Sequence, residues 1–262
     1  MSAYTPFLPY HGAMDMPGLD LRRLAFFGGT FDPPHRGHLA IARAAQRALS
    51  LDAVLFAPVG AQPLKPHGST ASFDDRVAMT RLALAGDPTF LVSLADAPSP
   101  TSAPNYTIDT LAAIRADLPF DAELYCLMGA DSFLGLRRWH RAAEIPFVAP
   151  LIVASRPGQS LDDLAAALPA GLTISGNVES SSDPAGNQLV RIYTLRNIAG
   201  VTTPFFLLPE LNIEISASAI RAQIRSDSSA SQSGQNQSLS GEIERLLPDA
   251  VASYIAARGL YR

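Results

Sequence analysis

Short apolar blocks alternate along the chain with longer amphipathic stretches. Leu24-Ala25-Phe26-Phe27 stops at Gly28-Gly29 and reads as a buried strand. Gly37 to Leu49 is Ala-rich with Arg43 and Arg47 on one face, the pattern of a helix. Ala53 to Ala57 is a second buried strand, ended by Pro58 and followed by a Pro-rich loop to His67. Phe73 to Ala85 is a second helix, with Ser72 as its N-cap and Asp74 and Asp75 in its first turn, where acidic side chains complement the helix dipole. The alternation continues with a strand at Phe90 to Ser93, a helix at Ile108 to Ala116, a strand at Leu124 to Met128, and a strand at Phe147 to Ala154 interrupted by Pro150.

Strand and helix in alternation predict an α/β fold: a Rossmann-like, doubly wound, mostly parallel sheet with helices on both faces. Ligands of such sheets bind beyond the carboxyl ends of the strands. Past Gly158 the pattern blurs. Leu161 to Leu168 reads as helix, Val190 to Tyr193 and Phe205 to Leu208 as strands, and the polar run Glu179 to Gly186 as a loop. A small helical part closes the chain: Ser218 to Arg225, Gly241 to Leu247, and a last helix from Pro248 to Arg258 stopped by Gly259. Residues 226–240 are Ser/Gln-rich, with little to bury, and read as a low-complexity insertion. Residues 1–20 read as an irregular segment, which leaves 21–262 as a single domain.

Composition narrows the class. Hydrophobic residues make up 47% and charged residues 17%, a globular balance. The net charge of −4 argues against a nucleic-acid grip, which needs a basic stripe, but allows a few cations to focus field in a cleft. No apolar run is long enough for a membrane span and no secretory signal is visible. The lone Cys126 cannot form an intrachain disulfide, so a cytoplasmic protein is expected. The sequence leaves an oligomer open.

The chemistry concentrates in Gly28-Gly29-Thr30-Phe31-Asp32-Pro33-Pro34-His35-Arg36-Gly37-His38, between the first strand and the first helix. The glycines let backbone approach a ligand. The helix start directs N–H groups and a positive dipole end at the same space, a natural phosphate site. His35 and His38, three residues apart, can be aimed by one turn at one phosphate.

This stretch resembles the signature of the HxGH nucleotidyltransferase superfamily, as His35-Arg36-Gly37-His38. A second superfamily signature resembles Ile215-Ser216-Ala217-Ser218-Ala219-Ile220-Arg221; the usual form is ISSTxIR, so Ala217 replaces a serine and Ser218 the threonine. Pro104-Asn105-Tyr106-Thr107-Ile108-Asp109-Thr110-Leu111, Gly129-Ala130-Asp131-Ser132, Trp139, Ser155-Arg156-Pro157-Gly158 and Gly259-Leu260-Tyr261 look, in order, like the bacterial nicotinate-nucleotide adenylyltransferases.

The resemblance implies adenylyl transfer from ATP to nicotinate mononucleotide, releasing pyrophosphate on the route to NAD. It implies triphosphate contacts from Gly28, Gly29, Thr30, Phe31, His35 and His38, and from Ile215, Ser216, Ser218 and Arg221. Lys65 and Arg221 would supply cations, and a nearby phosphate would hold a histidine protonated. Gly129 and Asp131 fall to the adenosine. Tyr106, Thr107, Trp139 and Arg156 fall to the nicotinate nucleotide, with Arg76 a weaker candidate for substrate contact. Mg²⁺ would come with ATP, held largely by phosphates and water, and no metal site on the protein is expected. The alternatives are another acceptor (nicotinamide mononucleotide or phosphopantetheine), a non-catalytic nucleotide sensor, and a fragment of a class I aminoacyl-tRNA synthetase. The last needs a tRNA-binding domain that the chain has no room for.

Overall fold

The computed structural model describes residues 21–64, 68–101, 103–155, 161–182, 188–208, 215–230 and 241–262. The initial segment expected to be irregular, Lys65, Arg156 and most of the Ser/Gln-rich insertion lie outside them. Eight strands form one sheet in the order β3-β2-β1-β4-β5-β8-β7-β6. They are β1 (Arg23–Gly29), β2 (Ala53–Pro58), β3 (Phe90–Val92), β4 (Glu123–Gly129), β5 (Leu151–Ala154), β6 (Leu172–Ser182), β7 (Gln188–Asn197) and β8 (Thr202–Leu208). β1 to β5 and β8 run parallel; β7 is antiparallel to both of its neighbours. The chain order reverses at β1, between β2 and β4, which opens the crevice where such sheets bind ligands.

Helices α1 (Arg36–Leu49), α2 (Phe73–Leu84) and α3 (Thr107–Asp117) cross between the first four strands. The sheet's two faces carry separate cores. One packs Leu24, Phe26, Leu124, Cys126 and Phe205 against α3 through Ile108 and Leu111. The other packs Ala25, Phe27, Val54, Phe56 and Leu127 against α1 through Leu39, Ala42 and Ala45. Neighbouring residues of β1 thus face opposite ways, which explains an unbroken apolar run with no polar face. Ser72 caps α2 by accepting from the Asp75 N–H at 3.1 Å. No helix among the described residues is long and apolar enough to cross a membrane.

Three expectations change. Ile145–Val148 is a helical turn, α5, and only Leu151–Ala154 is strand; Pro146 sits near the start of that turn, where a missing N–H costs nothing. The polar run from Glu179 continues β6 as far as Ser182, because Glu179 to Ser182 pair with Ile192 to Gln188 of β7. The helix of the second signature, α7 (Ala217–Ala230), runs five residues into the segment expected to be low-complexity.

A third core joins the C-terminal helices to α2. Met79 shares a buried cluster with Ile220 and Ile224 of α7, Ile243 of α8 (Gly241–Leu246), and Val251 and Ile255 of α9 (Asp249–Arg258). This core brings the end of the chain back to its beginning.

Gly60, just after β2, has no room for a side chain: a Cβ would lie 2.4 Å from the Pro98 nitrogen. Gly60→Ala should destabilise the fold by about 1–3 kcal/mol. Gly86→Ala, with nothing within 4 Å of the added methyl, should stay within about 1 kcal/mol of wild type. Thermal melts of the two variants compare them, and equal melting temperatures would contradict the packing at Gly60.

Candidate active site

The loop after β1 turns sharply. Phe31 takes a positive φ of 48°, uncommon for a side-chain-bearing residue, and its buried ring is held by Phe27, Phe56 and the edge of His38. Phe31 therefore has only backbone to offer a nucleotide. A Cβ at position 29 would lie 3.1 Å from this ring, which would have to shift by a few tenths of an ångström to admit it. A Cβ on Gly129 would meet only Ile41 at 3.7 Å, so the protein itself does not demand a glycine at the end of β4.

His35 stands at the N-cap of α1 and His38 one turn in, and their rings stack with centroids 3.7 Å apart. The His35 N–H donates to Nδ1 of His38 at 3.1 Å. That bond occupies Nδ1 and leaves the proton of a neutral ring on Nε2, as a donor facing away from the backbone. Burial lowers the His35 pKa from 6.5 to about 4. Burial, and then the neighbouring His35, hold His38 well below its usual range. Without ligand the pair is neutral, in contrast to the protonated histidine expected beside a phosphate.

Asp32, three residues before His35, anchors the loop. Its buried carboxylate accepts from the N–H groups of Thr70 at 2.7 Å and Ala71 at 3.1 Å, and from the Tyr261 hydroxyl at 2.7 Å. Its carbonyl accepts from Nη1 of Arg221 at 2.7 Å. The buried Arg76 donates to the Thr30 carbonyl at 2.7 Å and its guanidinium lies over the Phe73 ring, 5.5 Å from the centroid. Burial lowers the Arg76 pKa and Asp32 opposes that shift. Arg76 thus serves the loop rather than standing free for substrate. Three buried nitrogens here, His35 Nδ1, Arg76 Nε and Arg221 Nε, have no hydrogen-bond partner.

The second signature opens α7 beside this loop. Ile215 packs on the C-terminal core, Ser216 and Ser218 are exposed, and Arg221 lies 3.4 Å from the Ser218 hydroxyl. The two signatures, 189 residues apart at Asp32 and Arg221, are in direct contact.

A second group gathers at the start of α3. The Tyr106 ring packs on His140 at 4.3 Å, next to the half-buried Trp139, and Arg141 reaches Asp109 at 3.8 Å. Tyr106, Thr107 and Trp139 therefore share one neighbourhood at the start of α3. Asp131 is exposed in the first turn of α4 (Ala130–Leu134), just past β4. Sequence reasoning missed Asp32 and Asp96. Asp96 is buried, takes the Thr110 hydroxyl at 2.5 Å, and is pushed by burial to a pKa of about 6. The signal available for Asp32 was its place inside the first signature.

Fold and site together define a Rossmann-like α/β domain with paired histidines and an arginine on adjoining helix starts. The profile of the cytidylyltransferase-like family matches residues 26–223. A protein of Gloeobacter violaceus is 38% identical over 91% of this chain and 96% of its own length, and one of Trichlorobacter lovleyi is 35% identical over 92% and 99%. Each bears the name "Probable nicotinate-nucleotide adenylyltransferase". The Plasmodium falciparum nicotinic acid mononucleotide adenylyltransferase complexed with NaAD superposes with a TM-score of 0.61 over 92% of this chain and 97% of that one; at 14% identity the likeness speaks to fold alone. The chain belongs to the cytidylyltransferase-like family and, within it, to the nicotinate-nucleotide adenylyltransferases.

The neutral imidazoles make stability depend on pH. The unfolded chain binds a proton at His35 near pH 6.5 and the folded one near 4, so between these values the unfolded state holds more protons and stability falls as pH falls. The loss is on the order of 3 kcal/mol for His35. Asp96, with its raised pKa of about 6, works in the opposite sense below pH 6. The difference between wild type and His35→Gln isolates the histidine. Lowering the pH from 6.5 to 4 should cost wild type more melting temperature than the variant. A His35 ring titrating near 6.5 by NMR in the unliganded protein would contradict the burial argument.

Proposed function

We propose that the chain transfers the adenylyl group of ATP to nicotinate mononucleotide, giving nicotinate adenine dinucleotide and pyrophosphate in NAD biosynthesis. The observation that carries this reading is the contact between Arg221 and the loop of His35 and His38, which brings two helix starts and three nitrogen-bearing side chains to one end of the sheet. An oxygen of the mononucleotide 5′-phosphate attacks the α-phosphorus of ATP. The bond from that phosphorus to the bridging oxygen breaks, and pyrophosphate leaves with the electron pair. Both reactants are anions, so positioning and charge stabilisation carry most of the work.

In this reading His38 donates from Nε2 to the α-phosphate as charge builds on it, with His35 stacked beside it. Arg221 turns from the Asp32 carbonyl to the leaving pyrophosphate, helped by the hydroxyls of Ser216 and Ser218 and the backbone at Ile215. Gly28, Gly29, Thr30 and Phe31 present backbone to the nucleotide. Gly129 and Asp131 border the adenosine, Asp131 accepting from a ribose hydroxyl. Tyr106, Thr107 and Trp139 hold the nicotinate, its carboxylate against N–H groups at the start of α3 and its ring against Trp139. Lys65 and Arg156, outside the described residues, keep the parts the family resemblance gives them: a cation for the triphosphate and a contact to the nicotinate nucleotide. Mg²⁺ enters with ATP as part of that substrate. These substrates are metabolites of the cytoplasm, where the reading puts the enzyme.

A pyrophosphate-release assay with ATP tests this. Nicotinate mononucleotide should be turned over in strong preference to nicotinamide mononucleotide, because a site built for the carboxylate rejects an analogue lacking it by up to about 10⁴–10⁵-fold. His38→Ala should lower kcat by at least about 10²-fold with the fold retained. No release with either acceptor overturns the proposal, and near-normal turnover in the variant removes His38 from its role.

A further inference from the structure

We propose that Tyr261 is a positioning residue for this reaction, a latch that holds the catalytic loop through Asp32. The proposal rests on the adenylyl-transfer reading above. Tyr261 lies in the turn after α9, where Gly259 takes a φ of 62° and the Leu260 N–H returns to the Ile255 carbonyl at 3.1 Å. This reversal sends the Tyr261 side chain back into the protein, where it is 6% exposed within the C-terminal core. Tyr261 itself takes a φ of 67°, a left-handed conformation that is unfavourable for a residue with a side chain. The contacts of its ring and hydroxyl offset that cost.

The hydroxyl donates to Oδ1 of Asp32 at 2.7 Å and lies 3.9 Å from the Met79 sulfur. Burial, then the charge of Asp32, raise the phenol's pKa, so it stays a proton donor. Oδ1 also accepts from the Ala71 N–H, and Oδ2 from the Thr70 N–H. Three donors from two distant segments thus fix one carboxylate. The main chain of the same residue carries the carbonyl that receives Arg221, and three residues on comes His35. A rotation of Asp32 moves the arginine's resting place and the histidine pair together. Among the described residues, the Tyr261 hydroxyl bonds to Asp32 and meets Met79, and does not bond to Tyr106, Thr107 or Trp139.

The latch therefore acts first on the histidine loop and Arg221, the side of the site read as binding ATP. Tyr261→Phe keeps the ring in the C-terminal core and removes only the hydroxyl, so the variant is expected to fold. Pyrophosphate release by wild type, Tyr261→Phe, Asp32→Asn and the double variant is measured at a temperature where melting curves show each fully folded. We expect kcat/KM for ATP to fall about 10-fold or more in Tyr261→Phe, since small displacements of reacting groups are costly, while KM for nicotinate mononucleotide changes less than about 2-fold. The double variant should lose less than the product of the single losses, as for groups acting through one contact. A wild-type enzyme that releases no pyrophosphate defeats the adenylyl-transfer reading itself. With an active wild type, the latch is overturned by unchanged kcat/KM for ATP, by equal effects on both substrates, by independent losses in the double variant, or by a Tyr261→Phe chain that no longer melts cooperatively.

Discussion

The hydrogen bond from the Arg221 guanidinium to the Asp32 carbonyl joins parts of the chain 189 residues apart, and the geometry of the site depends on it. Neither partner is placed by its neighbours in sequence. Arg221 is delivered by α7, which packs through Ile220 and Ile224 on the core formed by α2 and the last helices. Asp32 is delivered by the exit of β1 and held by Thr70 and Ala71, which lead into α2. α2 is thus the shared wall: its start fixes one partner and its buried face fixes the other. The buried Arg76 on that helix reaches the same loop at Thr30. A buried cation is costly unless compensated, and here a carbonyl, an aromatic face and the Asp32 charge compensate it. Such a cluster has few alternative arrangements of similar energy, which suits a loop that must hold two imidazoles in register.

The electrostatics of the unliganded site follow from the same burial. The chain carries a net −4, and its ligands are anions, so attraction must be local. The histidines do not supply standing charge, because burial keeps them neutral at neutral pH. They supply oriented N–H dipoles and a capacity to gain a proton once an anion sits beside them, since a nearby negative charge raises a histidine's pKa. Arg221 is a permanent cation, and a carbonyl rather than a carboxylate holds it. A neutral partner is released to an incoming phosphate at less cost than an ionic one.

The alternating fold was legible because a strand buried on two faces is a continuous apolar run, and Leu24 to Phe27, stopped by two glycines, and Leu124 to Met128, stopped by Gly129, have strand length and strand-ending residues. Legibility failed where tertiary contacts override local preference. Polar Glu179 to Ser182 pair as strand because β7 offers a ladder, and nothing in their composition announces it. Phe147 and Val148 look like strand, yet they belong to a helical turn packed on the central core. Within the site, the histidines and Arg221 were legible as motifs, but their contact was not. The supporting residues were the least visible. Asp32 read as one letter of a turn, Arg76 as a weak substrate candidate and Tyr261 as part of a terminal motif, because a buried polar knot drawn from three segments has no period along the chain.

The two halves of the site are in turn welded at the carboxyl edge of the sheet. Asn105, just before α3, accepts from the Ala61 N–H and donates to the Ala97 carbonyl, each at 2.9 Å, while its own N–H reaches the Ala61 carbonyl at 3.0 Å. The Asp96 carbonyl takes the Gly60 N–H at 2.7 Å and its side chain takes Thr110 of α3. Gly60 is pressed against Pro98 with no space for a methyl. The loops leaving β2 and β3 and the start of α3 therefore form one bonded unit, and its Asp96 lies beside Gly28 at the end of β1. A transfer between two bound anions requires the attacking oxygen within about 3–3.5 Å of phosphorus and in line with the leaving group. Neither anion is drawn towards the other, so that distance must be imposed by the protein. A rigid edge joining the histidine loop to the start of α3 is the part of this fold that can impose it.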